Sequence, residues 1–308
     1  MELIVRRLVI VVVLALGYIG WRRLSPPRRR VAALWLLALA LTLGSAVWQR
    51  LSGPTHPVRV RESIGPTAVT GRLERSHSTS SGQTVALTVP DTAVAGIVVW
   101  QRLRSDDPWQ ATPMVRQGDR LSMVIPPQPA AGKVAYRIGL SRPGPGEGEE
   151  TRLWVPAGEP VVTRFKGDVA AAVLIPHVLL IFAAMLWSAR TGLAALVRDP
   201  STWRHTAITC ALFFVAGLIL GPLVQKAAFG AFWTGWPLGR DLTDNKVAVA
   251  MLFWLIALWQ GRGGRNARGW VITAAVVMLI VFIVPHSLLG SEHDYRAAAE
   301  AARAGQPG

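Results

Sequence analysis

Long apolar runs separated by short polar segments dominate the chain. Six runs, near residues 3–21, 31–48, 169–188, 206–225, 246–260 and 270–290, approach the length that a membrane helix requires. A helix needs roughly 20 apolar residues to cross a bilayer core of about 30 Å. The pattern therefore predicts an α-helical membrane protein with six spans.

Eleven arginines lie in the three short segments between these runs: Arg22, Arg23, Arg28, Arg29, Arg30, Arg190, Arg198, Arg204, Arg262, Arg265 and Arg268. Short loops rich in arginine remain on the cytoplasmic side of a membrane. With six spans, their positions predict a chain with both termini outside (N-out, C-out). We expect a multi-pass protein of the bacterial cytoplasmic (inner) membrane, with the lipid bilayer as a partner.

Residues 49–167 follow a different pattern, because their apolar runs are short and are interrupted by proline and glycine. From Lys133 to Leu140, apolar residues alternate with other residues, which is typical of a half-buried strand. Further strands are predicted at 84–89, 96–103, 120–125, 151–155 and 160–165. Six or seven short strands within this region predict an extracytoplasmic all-β sandwich inserted between the membrane helices.

Several motifs in this region resemble an immunoglobulin-like or fibronectin type III module. They are Val98-Val99-Trp100-Gln101-Arg102-Leu103, Met114, Ile125-Pro126-Pro127 and Lys133-Val134-Ala135-Tyr136-Arg137-Ile138. The resemblance implies a core filled by the tryptophan-bearing strand and the later Tyr-x-Ile strand. It also implies a module that binds partners or acts as a spacer. The whole chain resembles uncharacterised bacterial multi-pass membrane proteins, which implies no mechanism.

These patterns predict four parts: a transmembrane hairpin (1–48), the sandwich (49–167), a four-helix transmembrane bundle (168–290) and an outer juxtamembrane tail (291–308). The composition agrees with a membrane protein, since 51% of the 308 residues are hydrophobic. The net charge of +15 does not indicate a nucleic-acid partner, because eleven of the 33 basic residues belong to the short loops. The single cysteine, Cys210, excludes an intrachain disulfide.

Two similar sequences place a histidine after a proline within apolar spans. His177 follows Pro176, and His286 follows Pro285. An ionisable residue at membrane depth is costly and is therefore a functional candidate. If their helices face each other, the two histidines could bind a b-type haem or a metal ion. The alternatives are a neutral imidazole bonded to a carbonyl that a proline has freed, and a proton relay.

The stretch after the last span offers a second candidate site. Glu292, His293 and Asp294 could coordinate a divalent metal together with His286, because their oxygen and nitrogen donors suit zinc or a harder cation. The spacing matches no established metal motif, and a solvated juxtamembrane stretch is the alternative.

The outer loop 226–246 is rich in aromatic, glycine and charged residues, and it predicts a face that binds a ligand or partner. The residues of this face are Trp233, Trp236, Arg240, Asp241, Asp244, Asn245 and Lys246. Structural roles are the alternative, because tryptophan suits the membrane interface and Thr243-Asp244-Asn245 offers caps for the next helix.

Taken together, these patterns predict an accessory or structural envelope protein that binds a protein partner at its external face. The inference favours binding over catalysis, because the sequence contains no nucleophile motif, phosphate loop or dinucleotide fingerprint. The alternatives are a haem- or metal-binding redox protein that uses His177 and His286, and a transporter.

Overall fold

A computed structural model describes residues 25–144, 149–239, 241–285 and 290–305. Helix α1 precedes eleven strands, and five further helices follow them. The helices are α1 (Pro26–Ser52), α2 (Ala171–Leu196), α3 (Thr202–Phe229), α4 (Leu242–Gln260), α5 (Arg268–Ile283) and α6 (Tyr295–Ala304).

Within these described ranges, four helices, α1 to α4, are long and apolar enough to cross a membrane. The prediction of six spans is therefore wrong. The predicted N-out, C-out arrangement is wrong as well, because it was derived from six spans. The predicted span 3–21 lies outside the described residues. The predicted span 270–290 contains α5, an apolar helix of only 16 residues.

Helix α5 ends early because a proline follows it closely. Val284 adopts an extended conformation (φ −69°, ψ 120°) immediately before Pro285. The ring of a proline disfavours helical geometry at the preceding residue. Sixteen residues of helix measure roughly 24 Å, which is less than the thickness of a bilayer core.

The arginine-rich loops meet at one end of the helix bundle. The Arg30 guanidinium donates a hydrogen bond to the carbonyl of Val197 (3.1 Å). Arg268 donates to the carbonyls of Ala195 (2.9 Å) and Leu196 (3.2 Å). These contacts bring the start of α1, the end of α2 and the start of α5 together.

Arg190 does not lie in a loop as predicted. It lies inside α2, is 2% exposed, and pairs with Asp199 across 3.2 Å. Arg190 therefore helps to hold the end of α2. Near the starts of α1, α3 and α5, five more of the predicted loop arginines also lie in helices: Arg28, Arg29, Arg30, Arg204 and Arg268. Arg22 and Arg23 lie outside the described residues.

Helix α3 contains a π-helical segment, Phe214–Leu220. Gly221 and Pro222 follow this segment directly. Pro222 has no N–H and cannot donate a hydrogen bond to the preceding turn, so regular α-helical bonding is interrupted there. π-Helical segments widen a helix locally and often occur at functional sites.

The strands form two antiparallel-rich sheets. The first has the order β1-β2-β4-β8-β7, and the second has the order β3-β11-β9-β5-β6, with β10 also pairing with β9. Their bounds are β1 Val58–Ile64, β2 Thr67–Leu73, β3 Ser76–Ser78, β4 Gln83–Thr88, β5 Ala95–Arg102, β6 Gln110–Pro113, β7 Val115–Gln117, β8 Arg120–Ile125, β9 Lys133–Pro143, β10 Glu150–Val155 and β11 Val161–Lys166.

Side chains from both sheets form one hydrophobic core, so the β region is a two-layer sandwich. Trp100 and Tyr136 lie in this core, and Tyr136 is fully buried. The six predicted strands correspond to β4, β5, β8, β9, β10 and β11 and are confirmed. The arrangement is compatible with an immunoglobulin-like sandwich.

The sandwich rests on the end of the bundle that lies away from the arginine loops. Gly167 donates its N–H to the carbonyl of Ala228 at the end of α3 (2.9 Å). The segment after α5 then returns to the sandwich, where the Tyr295 hydroxyl donates to Gln128 (2.9 Å). The N–H of His293 also donates to the carbonyl of Ala131 (3.0 Å). The sandwich, the loop after α3 and the tail therefore form one junction.

Candidate functional site

The loop between α3 and α4 begins and ends at well-defined caps. Gly230 follows α3 with φ +88°, a left-handed conformation that glycine adopts without steric cost. Asp241 caps α4, because its Oδ1 accepts a hydrogen bond from the N–H of Thr243 (2.7 Å). The cap therefore lies two positions before Thr243, the first residue of the predicted Thr243-Asp244-Asn245.

Asp244 folds the loop back onto the bundle. Its Oδ2 accepts hydrogen bonds from the N–H groups of Thr234 (2.6 Å) and Gly235 (3.0 Å), and from Nε2 of Gln225 (2.9 Å). Asp244 is 6% exposed. Asn245 acts alongside it by accepting a hydrogen bond from the N–H of Trp236 (2.6 Å).

Asp241 joins this loop to the tail. Its Oδ2 accepts hydrogen bonds from the N–H and the hydroxyl of Ser291, both at 2.7 Å. Burial alone would raise the pKa of Asp241. The hydrogen bonds from Ser291, Thr243 and Thr234 outweigh burial and hold this pKa below its ordinary value. Asp241 is therefore a buried, ionised anchor.

Arg164 brings a positive charge from strand β11 into the same junction. Its guanidinium lies 3.8 Å from the centre of the Phe229 ring, and its Nη2 donates to the carbonyl of Ser291. Burial lowers the pKa of Arg164 to about 10, against the opposing effect of Asp241 and Glu292. Among the described residues, its buried Nε has no hydrogen-bond partner.

A cavity of about 150 Å³ opens beside these charged groups. Its polar lining is contributed by Arg164, His177, Gln225, Asp241, Thr243 and Asp244. Since each water molecule occupies about 30 Å³ of liquid, the cavity has room for roughly five waters or one small molecule. It is bounded by α2, by α4 and by the π-helical segment of α3.

His177 is held toward this cavity from α2. Its Nδ1 lies 3.1 Å from the carbonyl oxygen of Ala216, which belongs to the π-helical segment. This contact matches the prediction of an imidazole bonded to a backbone carbonyl, although the carbonyl belongs to the distorted part of α3. His286 lies outside the described residues, so the proposed pairing of the two histidines stays a prediction.

Several polar atoms around the cavity have no hydrogen-bond partner within the described ranges. Asp244 accepts all its hydrogen bonds at Oδ2, which leaves Oδ1 without a donor. Gln225 donates from Nε2 but accepts nothing at Oε1. Arg164, Gln225 and Asp244 all line the cavity, so its lining residues include both a cationic donor group and acceptor groups with unused hydrogen-bonding capacity.

The other residues of the predicted loop face are divided between two environments. Trp233 lines the cavity, whereas Trp236 is 78% exposed at the loop tip. Lys246 is buried, and its Nζ donates to the carbonyl of Val284 (2.7 Å), which secures the end of α5. Arg240 lies outside the described residues.

The acidic residues of the tail have protein partners. Glu292 lies 3.4 Å from both Arg104 and Lys133. Asp294 caps α6 through the N–H of Ala297 (3.1 Å), and the ring of His293 packs edge-on against Tyr295. In the part of the chain that is described, no group of three or more His, Cys, Asp or Glu is placed to hold a metal ion. The predicted metal set includes His286 and stays a prediction.

Sequence reasoning missed Arg164, Gln225, Thr234 and Ser291. Arg164 lies in the last strand, next to Phe165 and shortly before the helix bundle, and a charged residue at that position is a usable signal. Ser291 carried no comparable signal, because it follows the last apolar run as an ordinary small polar residue.

The chain matches no protein-family model, and neither a curated protein nor a solved structure is significantly similar to it. The chemistry of the junction is therefore argued from its own residues.

Proposed function

We propose that this chain is a bacterial envelope membrane protein that binds a small zwitterionic ligand in the junction cavity, with the sandwich on the outer side. The observation that carries this proposal is that Arg164, with its unpartnered Nε, and Asp244, whose hydrogen bonds are all accepted at Oδ2, line the same cavity. An unsatisfied polar group in a buried position costs free energy, which a ligand can recover.

The free atoms define the chemistry of the ligand. A carboxylate or similar anionic group would accept hydrogen bonds from Arg164. An ammonium group would donate to Oδ1 of Asp244 and Oε1 of Gln225. A cavity of about 150 Å³ limits the ligand to a few heavy atoms. A small amino acid has both groups at the required scale.

The arginine loops support an external position for this site. They meet at the end of the bundle opposite the sandwich, and short arginine-rich loops stay in the cytoplasm. On this reasoning, the junction faces the outside of the bacterial cytoplasmic membrane. Ligand would then reach the cavity from the extracytoplasmic space.

The tip of the loop favours a second candidate function, the docking of a protein partner. Phe232, Trp236 and Leu238 are 54%, 78% and 78% exposed. They lie on the loop whose base is held by Asp241 and Asp244, so ligand in the cavity would act on the same loop. A photo-crosslinking residue at Trp236 tests this role. Crosslinks to one defined protein support docking, and crosslinks to lipid alone assign the tip to the membrane interface.

Titration of the full-length protein in nanodiscs tests ligand binding. The probes are glycine and β-alanine, with acetate and methylammonium as controls that each carry one charged group. Intrinsic tryptophan fluorescence provides one readout, because Trp233, one of 13 tryptophans in the chain, lines the cavity. Calorimetry provides another. We expect saturable binding of a zwitterion only.

Matched variants assign the binding to the cavity. Asp244→Asn should weaken binding by about tenfold to 100-fold, because it removes a charge-assisted hydrogen bond. Asp106→Asn is the control, since Asp106 is 82% exposed and does not line the cavity. Absence of saturable binding by either zwitterion, or equal binding by both variants, would contradict the proposal.

A further inference from the structure

A second cavity, of about 660 Å³, opens at the arginine-loop end of the bundle. It lies between the end of α2, the start of α3 and the segment that joins α4 to α5. Four arginines line it: Arg198, Arg262, Arg265 and Arg268. The junction cavity at the other end of the bundle shares none of these residues.

The positive charge of this cavity is not balanced by the protein. Asp199 is the acidic residue of its lining, and its two oxygens bind Arg190 (3.2 Å) and Ser201 (2.7 Å from the hydroxyl). Within the described ranges, the guanidinium groups of Arg198, Arg262 and Arg265 have no hydrogen-bond or ion-pair partner. Arg268 donates only to neutral backbone carbonyls.

Burial alone would raise the pKa of Asp199. The hydrogen bonds from Ser201 and the contact with Arg190 outweigh burial and lower this pKa to about 2. Asp199 is therefore ionised at physiological pH, but its charge is already paired with Arg190. The four lining arginines keep their excess positive charge.

The backbone around the cavity holds a defined shape. Arg198 has φ +56°, a left-handed conformation that is unfavourable for a residue with a side chain. Hydrogen bonds from the N–H of Asp199 to Ala194 (2.9 Å) and from the N–H of Arg198 to Ala195 (3.2 Å) hold this turn. On the other side, Gly263 and Gly264 have φ +67° and +77°, which turns the chain between α4 and α5.

The surroundings of the cavity are those of a membrane boundary. Trp203, Ala195 and Val271 contribute apolar surface to the lining. Nearby helix surfaces expose Leu196, Trp259 and Trp270 at 52%, 60% and 41%, as expected for side chains that contact lipid. A ligand with a charged head and an apolar tail could contact both the arginines of the cavity and the apolar helix surfaces next to it.

We infer that this arginine cavity binds the headgroup of an anionic phospholipid of the cytoplasmic leaflet. The phosphate accepts paired hydrogen bonds from the guanidinium groups, and the acyl chains lie along the exposed apolar surfaces of the helices. Basic pockets between membrane helices on the cytoplasmic side are suited to such headgroups. Free phosphate shares the headgroup chemistry but lacks the chains.

Native mass spectrometry of the delipidated full-length protein tests the inference. Dioleoyl phosphatidylglycerol, dioleoyl phosphatidylcholine and inorganic phosphate are titrated separately. We expect one tightly retained phosphatidylglycerol, with phosphatidylcholine and phosphate weaker by about tenfold or more. Equal retention of phosphatidylglycerol and phosphatidylcholine would contradict recognition of the anionic headgroup by the arginines. Phosphate that binds as tightly as the anionic lipid would overturn the assignment to a lipid.

Two double variants locate the bound lipid. Arg262→Gln with Arg265→Gln should weaken retention of phosphatidylglycerol by about tenfold or more. Arg59→Gln with Arg61→Gln removes the same charge from the exposed face of β1 and should leave retention unchanged. Equal retention of phosphatidylglycerol by the two double variants would contradict the assignment of the lipid to this cavity. If the first variant does not fold, Arg262→Gln alone provides the comparison, with an expected loss of about threefold or more.

Discussion

Asp241→Asn perturbs the point at which the loop, helix α4 and the tail are joined. The remaining amide oxygen can still cap α4 through Thr243, which leaves the amide NH₂ directed at Ser291. The Ser291 hydroxyl can rotate to accept from this NH₂, but the N–H of Ser291 loses its acceptor. Because Asp241 is only 6% exposed, water does not readily replace the lost hydrogen bond.

The size of the effect follows from these contacts. One charge-assisted hydrogen bond is lost and one buried donor is left unpaired, which together cost about 3 kcal/mol. That free energy corresponds to an increase of about 100-fold in the population of the detached tail. The sandwich should remain folded, because its core does not include Asp241.

Limited trypsin digestion measures this population. Cleavage at Arg296 in α6 requires the tail to leave the sandwich, and its rate follows the open fraction when opening is fast. Asp106→Asn is the control, because it removes only the exposed ion pair with Arg296 (3.6 Å) and should change the rate by less than about threefold. A cleavage rate for Asp241→Asn within about twofold of the unmodified protein would refute the proposed anchoring.

Three further predictions concern other parts of the molecule. Tyr295→Phe removes the buried hydrogen bond to Gln128 and should lower the free energy of unfolding by about 1–3 kcal/mol, measured by denaturant titration; no change would contradict this. The pKa of Asp199 is lowered to about 2, so its contribution to stability is present above pH 4 and is lost as pH falls toward 2. The loss of thermal stability over that window should be smaller in Asp199→Asn, and identical pH profiles would refute the effect. Asp106→Cys should react with a membrane-impermeant thiol reagent on intact cells, and labelling only after lysis would place the sandwich inside.

The sequence predicted elements wherever local periodicity and tertiary environment agree. Val134, Tyr136 and Ile138 alternate along β9 and all face the core, so their strand could be identified directly. The strands β3, β6 and β7 are three or four residues long, too short for an alternating pattern to be recognised. Their pairing depends on neighbours elsewhere in the chain.

The last predicted span, 270–290, differs from the observed helix because apolar composition alone does not determine where a helix ends. The apolar character of 270–290 continues past Pro285, but the helix stops at Ile283 because the backbone before proline is extended. Pro285 is therefore a stronger signal for the end of this helix than the apolar composition around it.

The junction could be predicted only in part. Asp241, Asp244 and His177 were recognised from polar residues next to or within apolar runs, and they line one cavity. Arg164 contacts Ser291 across 127 positions of the sequence. No local pattern specifies such a contact, because it depends on how the sandwich rests on the helices.

A density map of the full-length protein in nanodiscs, at saturating concentration of the zwitterion that binds in titration, tests the central claim most directly. The account predicts density for the ligand between the Arg164 guanidinium and the Asp244 carboxylate, with its anionic group toward Arg164. A cavity that holds only water while the protein is saturated would contradict it.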